Sequence, residues 1–166
     1  MNNSPTVFAS LANYTKGGVE TINGNPKHYA FSNVFEVAAH SKPYERVAVA
    51  RNLNYVLEAA RAEGDSPWYA AAHDESVLVM DGSVLIQYIR PSVPLVKPDS
   101  EGAIAVEGTP AGARMGWVRA ERGHMALLPA GSAYQFQASG RPGALLIQTI
   151  AGPLTLERWN DICQTA

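Results

Sequence analysis

The sequence predicts an all-β sandwich or barrel, and three observations carry that prediction. Short runs rich in β-branched and aromatic residues alternate with Gly/Pro turns, which favours a sandwich or barrel over a helical fold. Glu75 stands seven residues before Gly82, with an apolar run between them. A second turn-bearing stretch, Gly123 to Gly131 with Pro129 inside it, begins 41 residues after Gly82.

The elements follow in order. Residues 1–28 are rich in Asn, Gly, Pro and Thr, with turn formers at Gly17-Gly18 and Asn23-Gly24-Asn25-Pro26, and read as an extended arm. Strands are expected at 29–38, 44–51 and 54–62 from β-branched and aromatic content. The last of these also suits a helix by its Ala, Leu, Glu and Arg content, but its place before the Glu75 stretch favours a strand. Glu63-Gly64-Asp65-Ser66-Pro67 is a turn by chemistry. Residues 68–80 and 83–90 are expected to pair as a hairpin across Asp81-Gly82, a good type I′ dipeptide. Pro91 to Gly112 holds four prolines and three glycines and reads as a long exposed excursion. Strands resume at 114–120, 125–129, 133–138 and 143–150. Leu156, Trp159, Ile162 and Cys163 fall at helical spacing, so a short amphipathic helix is expected over 153–164. The whole is one domain, 1–166, with the barrel spanning 29–150.

Composition narrows the class. A chain of 166 residues can build a core as one domain. Its net charge is −2 and no basic run exceeds a pair, so nucleic acid is not an expected partner. The single cysteine, Cys163, excludes an internal disulfide and fits a reducing cytoplasm. No signal peptide and no apolar run long enough to span a bilayer is present, so no membrane role is expected. There is no Ser-His-Asp spacing, phosphate-cradling glycine loop, CxxC or HExxH.

The two turn-bearing stretches resemble the paired motifs of the cupin family, and the resemblance implies a cupin-type jelly-roll β-barrel. The first cupin motif reads His-x-His, three or four residues, Glu, six residues, Gly. Glu75 and Gly82 fit, while the two His positions fall on Trp68 and Ala70 or on Tyr69 and Ala71. The second reads Gly, five residues, Pro-x-Gly-x-x-His. Gly123, Pro129 and Gly131 fit, and the ligand position is Tyr134. The turn chemistry is kept and the usual ligands for Fe, Mn or Zn are mostly gone.

Four residues are candidates for a ligand pocket: Trp68, His73, Glu75 and Tyr134. On one strand His73, Glu75, Val77 and Val79 would share a face. His73 and Glu75 are then an altered metal site, a polar anchor for a ligand, or a mutually satisfied buried pair. Tyr134 either hydrogen-bonds a phenolic ligand or fills the space of the lost metal and histidine. One of Trp68 and Tyr69 is expected to plug the barrel, with the other facing out. His28, His40 and His124 are expected to be exposed, and Cys163 to pack.

The whole chain also resembles the small subunit of the two-subunit hydroquinone dioxygenases. The resemblance is carried by residues 28–39 (HYAFSNVFEVAA), 41–47 (SKPYERV), 61–64 (RAEG), 66–75 (SPWYAAAHDE) and the Trp159 to Cys163 tail. It implies a metal-free subunit in an α2β2 assembly, a larger cupin partner that holds Fe(II), and an aromatic substrate. It further implies opening of hydroquinone to 4-hydroxymuconic semialdehyde with O2. This chain itself would bind no cofactor and no metal. Its expected parts are stabilising the partner, closing the active-site mouth, or lending a side chain such as Trp68. Two other readings stay open. One is a stand-alone homodimeric cupin binding a small organic ligand, as isomerase or sensor. The other is an irregular metal site built on His73 and Glu75.

Overall fold

A computed structural model describes residues 33–52 and 55–158. These hold one helix, α1 (Val34–His40), and ten strands. The strands are β1 (Arg46–Asn52), β2 (Tyr55–Asp65), β3 (Trp68–Ala71), β4 (Glu75–Asp81), β5 (Ser83–Pro91), β6 (Ala103–Val106), β7 (Gly112–Glu121), β8 (Met125–Leu128), β9 (Ala133–Ile150) and β10 (Thr155–Leu156). They form one hydrogen-bonded, mostly antiparallel sheet curled on itself as a cupin-type jelly roll.

The spine is β9. Its second half pairs with β2 on one edge and β4 on the other, in registers such as Leu57↔Gln148 and Val77↔Ile147. Its first half pairs with β5, and on the opposite edge with β3 and the end of β2. β5 carries β7, β4 carries β8, β3 carries β6, and β1 lies between β2 and β10.

Inward side chains alternate with outward ones along each strand. Val77, Val79, Ile86, Phe136, Leu145 and Ile147 fill the interior, with Tyr44, Tyr69 and Tyr134 among them. The opposite phase of β1 and β2 is covered by α1. Val37 packs there on Val47, Val49 and Ala59.

Several expectations change. The strand expected at 29–38 is helix α1 from Val34 onward. Asn33 caps it, its Oδ1 accepting from the N–H groups of Phe35 and Glu36, and a cap of this kind satisfies donors that a helix start leaves open. Residues 29–32 and the arm 1–28 lie outside the described residues. Of the stretch 54–62, residues 55–62 lie in β2, the strand expected there.

The hairpin across Asp81-Gly82 does not form. Residues 68–80 are split into β3 and β4 by Ala72–Asp74, and β4 and β5 pair successively along β9 rather than with each other. Gly82 is a corner: φ is +82° and an added Cβ would lie 2.9 Å from Gly143 Cα, so β9 crosses directly behind it. The excursion from Pro91 to Gly112 contains β6, which pairs with β3 across Trp68↔Val106 to Ala71↔Ala103. The strands expected at 133–138 and 143–150 are one continuous strand. Where the closing helix was to begin, Thr155 and Leu156 form β10, drawn parallel to β1 because Leu156 packs into the cluster beneath α1. The rest of that helix, 159–164, lies outside the described residues.

Candidate functional site

The alternation that builds the core also brings charged side chains into it. On β2, Val56, Glu58, Ala60 and Ala62 point alike, and Glu58 is 1% exposed. Glu75 opens β4 in phase with Val77 and Val79 and is also 1% exposed. Arg46 opens β1, and the parallel partner β10 sets Thr155 opposite it. Tyr134 lies on β9 opposite Tyr69 of β3.

These side chains meet around one guanidinium. Arg46 Nε donates to Glu58 Oε2 at 2.5 Å, Nη2 to Glu75 Oε1 at 2.7 Å, and Nη1 to the Tyr134 hydroxyl at 3.3 Å. The Tyr134 hydroxyl donates to Glu75 Oε2, and Thr155 Oγ1 donates to Glu58 Oε1 at 2.6 Å. The guanidinium also lies 5.7 Å from the centroid of the Tyr69 ring, within cation–π range. The rings of Tyr69 and Tyr134 pack at 5.7 Å, and those of Tyr134 and Phe136 edge to face at 5.5 Å.

The electrostatics follow from burial and pairing. Burial alone would lower the Arg46 pKa, but Tyr134, Glu58 and Glu75 outweigh it and hold the guanidinium above its ordinary value. Burial pushes the Tyr134 phenol well up. Arg46 opposes this and Glu75 adds to it. Burial likewise lifts Tyr69 to about 12, against the pull of Arg46. Both phenols are therefore protonated across the working pH range, and that of Tyr134 donates to Glu75.

The candidates from the sequence fall in three places. Glu75 and Tyr134 meet in this network. Trp68 points the opposite way from Tyr69, so the 69/71 alignment of the first motif is the one the barrel uses. Trp68 does not face solvent as expected: it is 7% exposed, packs with Ile89 and Ala133, and borders an open groove of about 560 Å³ with Pro67, Val106, Glu107, Thr109 and Gln135. His73 stands in the turn between β3 and β4. The expected His73–Glu75 pair does not form, because that turn separates them. His73 Nε2 instead meets Thr149 Oγ1 at 2.9 Å and the Ile150 N–H at 3.3 Å. His40 and His124 are exposed as expected, whereas His28 and Cys163 lie outside the described residues.

Sequence reasoning missed Arg46, Glu58 and Thr155. The available signal was phase: Glu58 interrupts an otherwise small and apolar inward row on β2.

A cupin metal does not fit this arrangement. The four ligand positions hold Tyr69, Ala71, Glu75 and Tyr134, and both Glu75 oxygens are already bonded, to Arg46 and to Tyr134. No group of three or more His, Cys, Asp or Glu that could hold a metal occurs among the described residues. The irregular site on His73 and Glu75 is thereby corrected, since Glu75 is taken up by Arg46 and Tyr134 and His73 by Thr149 and Ile150.

No family model and no curated protein matches the chain. Among solved structures, it is similar to a chain of hydroquinone 1,2-dioxygenase PnpCD in complex with Cd2+ and 4-hydroxybenzonitrile. The two are 54% identical over 99% of this chain and 100% of that one, with a TM-score of 0.80. It is also similar to a chain of hydroquinone 1,2-dioxygenase from Sphingomonas sp. TTNP3 with 4-hydroxybenzoate bound. That match is 52% identical over 98% and 99% of the two chains, with a TM-score of 0.81. A further match, within PnpCD in complex with Fe3+, covers 92% of this chain but only 43% of a longer one, at 13% identity and a TM-score of 0.55. That likeness is one of fold with part of the longer chain.

Proposed function

The chain belongs to the small-subunit family of the two-subunit hydroquinone 1,2-dioxygenases, and we propose that it serves as the metal-free subunit of such an enzyme. The assembled enzyme is Fe(II)-dependent and opens hydroquinone to 4-hydroxymuconic semialdehyde with O2. The iron is held by a larger cupin subunit, and the assembly is α2β2. The observation that carries this reading is the near full-length match at more than half identity. The guanidinium in the middle of the ligand positions supports it, because a chain so filled must leave oxygen chemistry to a partner.

Within this reading the barrel is a rigid scaffold and its outer face meets the partner. Trp68 is the candidate that contributes to the substrate site. It is a large, fixed aromatic beside an open groove, and such a ring can wall a phenolic substrate. Glu75 and Tyr134 act inside the barrel and hold its shape. The lone cysteine fits a reducing cytoplasm, where we place the enzyme. Among the described residues no helix is long and apolar enough to cross a membrane.

The test is oxygen uptake with Fe(II) and hydroquinone. This chain alone is expected to be inactive, and activity is expected when it is co-purified with the larger subunit. Turnover by this chain alone, at the rate of the mixture, would show the reading to be wrong.

A further inference from the structure

We propose that Arg46 is the resident cation of this barrel, and that its guanidinium, as well as the missing histidines, closes the ligand position to metal. Three of the four ligand positions converge on that one group: Tyr69 beneath it, Glu75 at 2.7 Å and Tyr134 at 3.3 Å. The fourth position, Ala71, has no donor. Arg46 and its second carboxylate, Glu58, come from β1 and β2, outside both motifs. The positive charge has therefore been supplied from a different part of the chain.

The physics favours a guanidinium here. Glu58 and Glu75 are almost fully buried, and buried carboxylates stay ionised only with a countercharge and full hydrogen bonding. A divalent ion could supply that charge. Arginine supplies it with permanent protonation, weak hydration and a planar fork that reaches both carboxylates at once. Tyr134 and Thr155 take one further oxygen of each carboxylate. With the guanidinium removed, what remains is a set of oxygens from Glu58, Glu75, Tyr134 and Thr155. Such donors suit a hard cation such as Mn2+ better than the nitrogen-ligated metals of the family pattern. The inference does not depend on what the assembled enzyme oxidises.

The test uses the full chain carrying Arg46→Met, with Mn2+ as the probe. Uptake is read by loss of the free Mn2+ signal in electron paramagnetic resonance, and stability by thermal melting. The unaltered chain is expected to take up no Mn2+ at millimolar concentration. Arg46→Met is expected to melt lower, take up one equivalent, and regain part of its melting temperature with the ion. Adding Glu75→Gln should abolish that uptake. A folded Arg46→Met chain that binds no Mn2+, or equal uptake by the unaltered chain, overturns the proposal. If Arg46→Met does not fold, Arg46→Met/Glu58→Gln/Glu75→Gln removes both buried negative charges along with the cation and should recover folding. Its failure to do so, where Glu75→Gln alone folds, also overturns the proposal.

Discussion

Glu75 lies 29 residues beyond Arg46 in the chain and receives its guanidinium at 2.7 Å, with the two side chains 0% and 3% exposed. The carboxylate at a ligand position of the motif is held here by an arginine. The network around it therefore makes demands on stability that can be separated from any role in catalysis.

The first prediction concerns that network. Glu58→Ala leaves a buried guanidinium with one carboxylate and removes the acceptor of Thr155. Breaking a buried pair in this way costs about 3–5 kcal/mol. Arg61 and Glu63 form a partly exposed pair at 2.6 Å, and Glu63→Ala should cost less than about 1 kcal/mol. Urea unfolding of the two variants checks the contrast, and equal losses would refute it.

A second prediction is for alkaline pH. Burial pushes Tyr69 up to about 12 in the folded chain and lifts Tyr134 well above its ordinary value, while in the unfolded chain both ionise near about 10. A folded pKa above the unfolded one contributes stability fully below the unfolded value and loses it as pH rises. The fold should thus weaken from about pH 10 upward. Ultraviolet titration should show these phenols ionising only as the chain unfolds. Tyr134→Phe should remove one such late phenol. A Tyr134 that titrates freely in the folded chain would contradict its donation to Glu75.

Metal content gives a third prediction. The chain purified without a partner should hold no stoichiometric iron, manganese or zinc, because Tyr69, Ala71 and Tyr134 stand at ligand positions and Arg46 fills the centre. Elemental analysis decides this. About one metal per chain, lost in Glu75→Ala, would reverse the assignment, since a catalytic site needs about three protein ligands.

The sequence showed the barrel and two members of the network, but not what holds them. Glu75 and Tyr134 were legible because each sits at a fixed distance from turn residues that the fold requires. Arg46 and Glu58 were not, because their partners are 12 to 97 residues away and no local pattern marks such pairs. The Asp81-Gly82 hairpin misled for a related reason. The dipeptide is a sound local turn signal, but the crossing of β9 at Gly143 makes the turn a corner between two pairings. Helix α1 was legible in principle from the Asn33 cap and Glu36, yet aromatic and β-branched neighbours gave a strand signal over the same residues.

Trp68 carries a fourth prediction. Its ring borders the groove beside Thr109 and Gln135 and lies on the far side of β3 from the buried network. In the assembled enzyme, Trp68→Ala should lower kcat/KM for hydroquinone about tenfold or more, equivalent to about 1.4 kcal/mol. Assembly measured by light scattering should be retained. Unchanged kinetics in an intact complex would remove Trp68 from the substrate site.

The last prediction concerns the surface that the partner covers. Among the described residues β7 pairs only with β5, and its side chains are exposed except at Ala120. Trp117 is 66% exposed, and Met115 and Val118 stand beside it. A long apolar edge strand invites pairing or aggregation unless something covers it. Arg114 and Arg119 flank the tryptophan and are exposed too, so the covering surface should be acidic. In a two-subunit enzyme we assign that cover to the larger chain. Trp117→Ser should leave the melting of this chain nearly unchanged, because the ring already lies in water. It should weaken the complex by about 2–4 kcal/mol, the usual cost of truncating a central interface aromatic. Size-exclusion chromatography with light scattering on a dilution series of the co-expressed pair reads that shift. Dissociation at the same concentration as the unaltered pair would place the interface elsewhere. A lone chain that dimerises through Trp117 would assign the strand to a second copy instead.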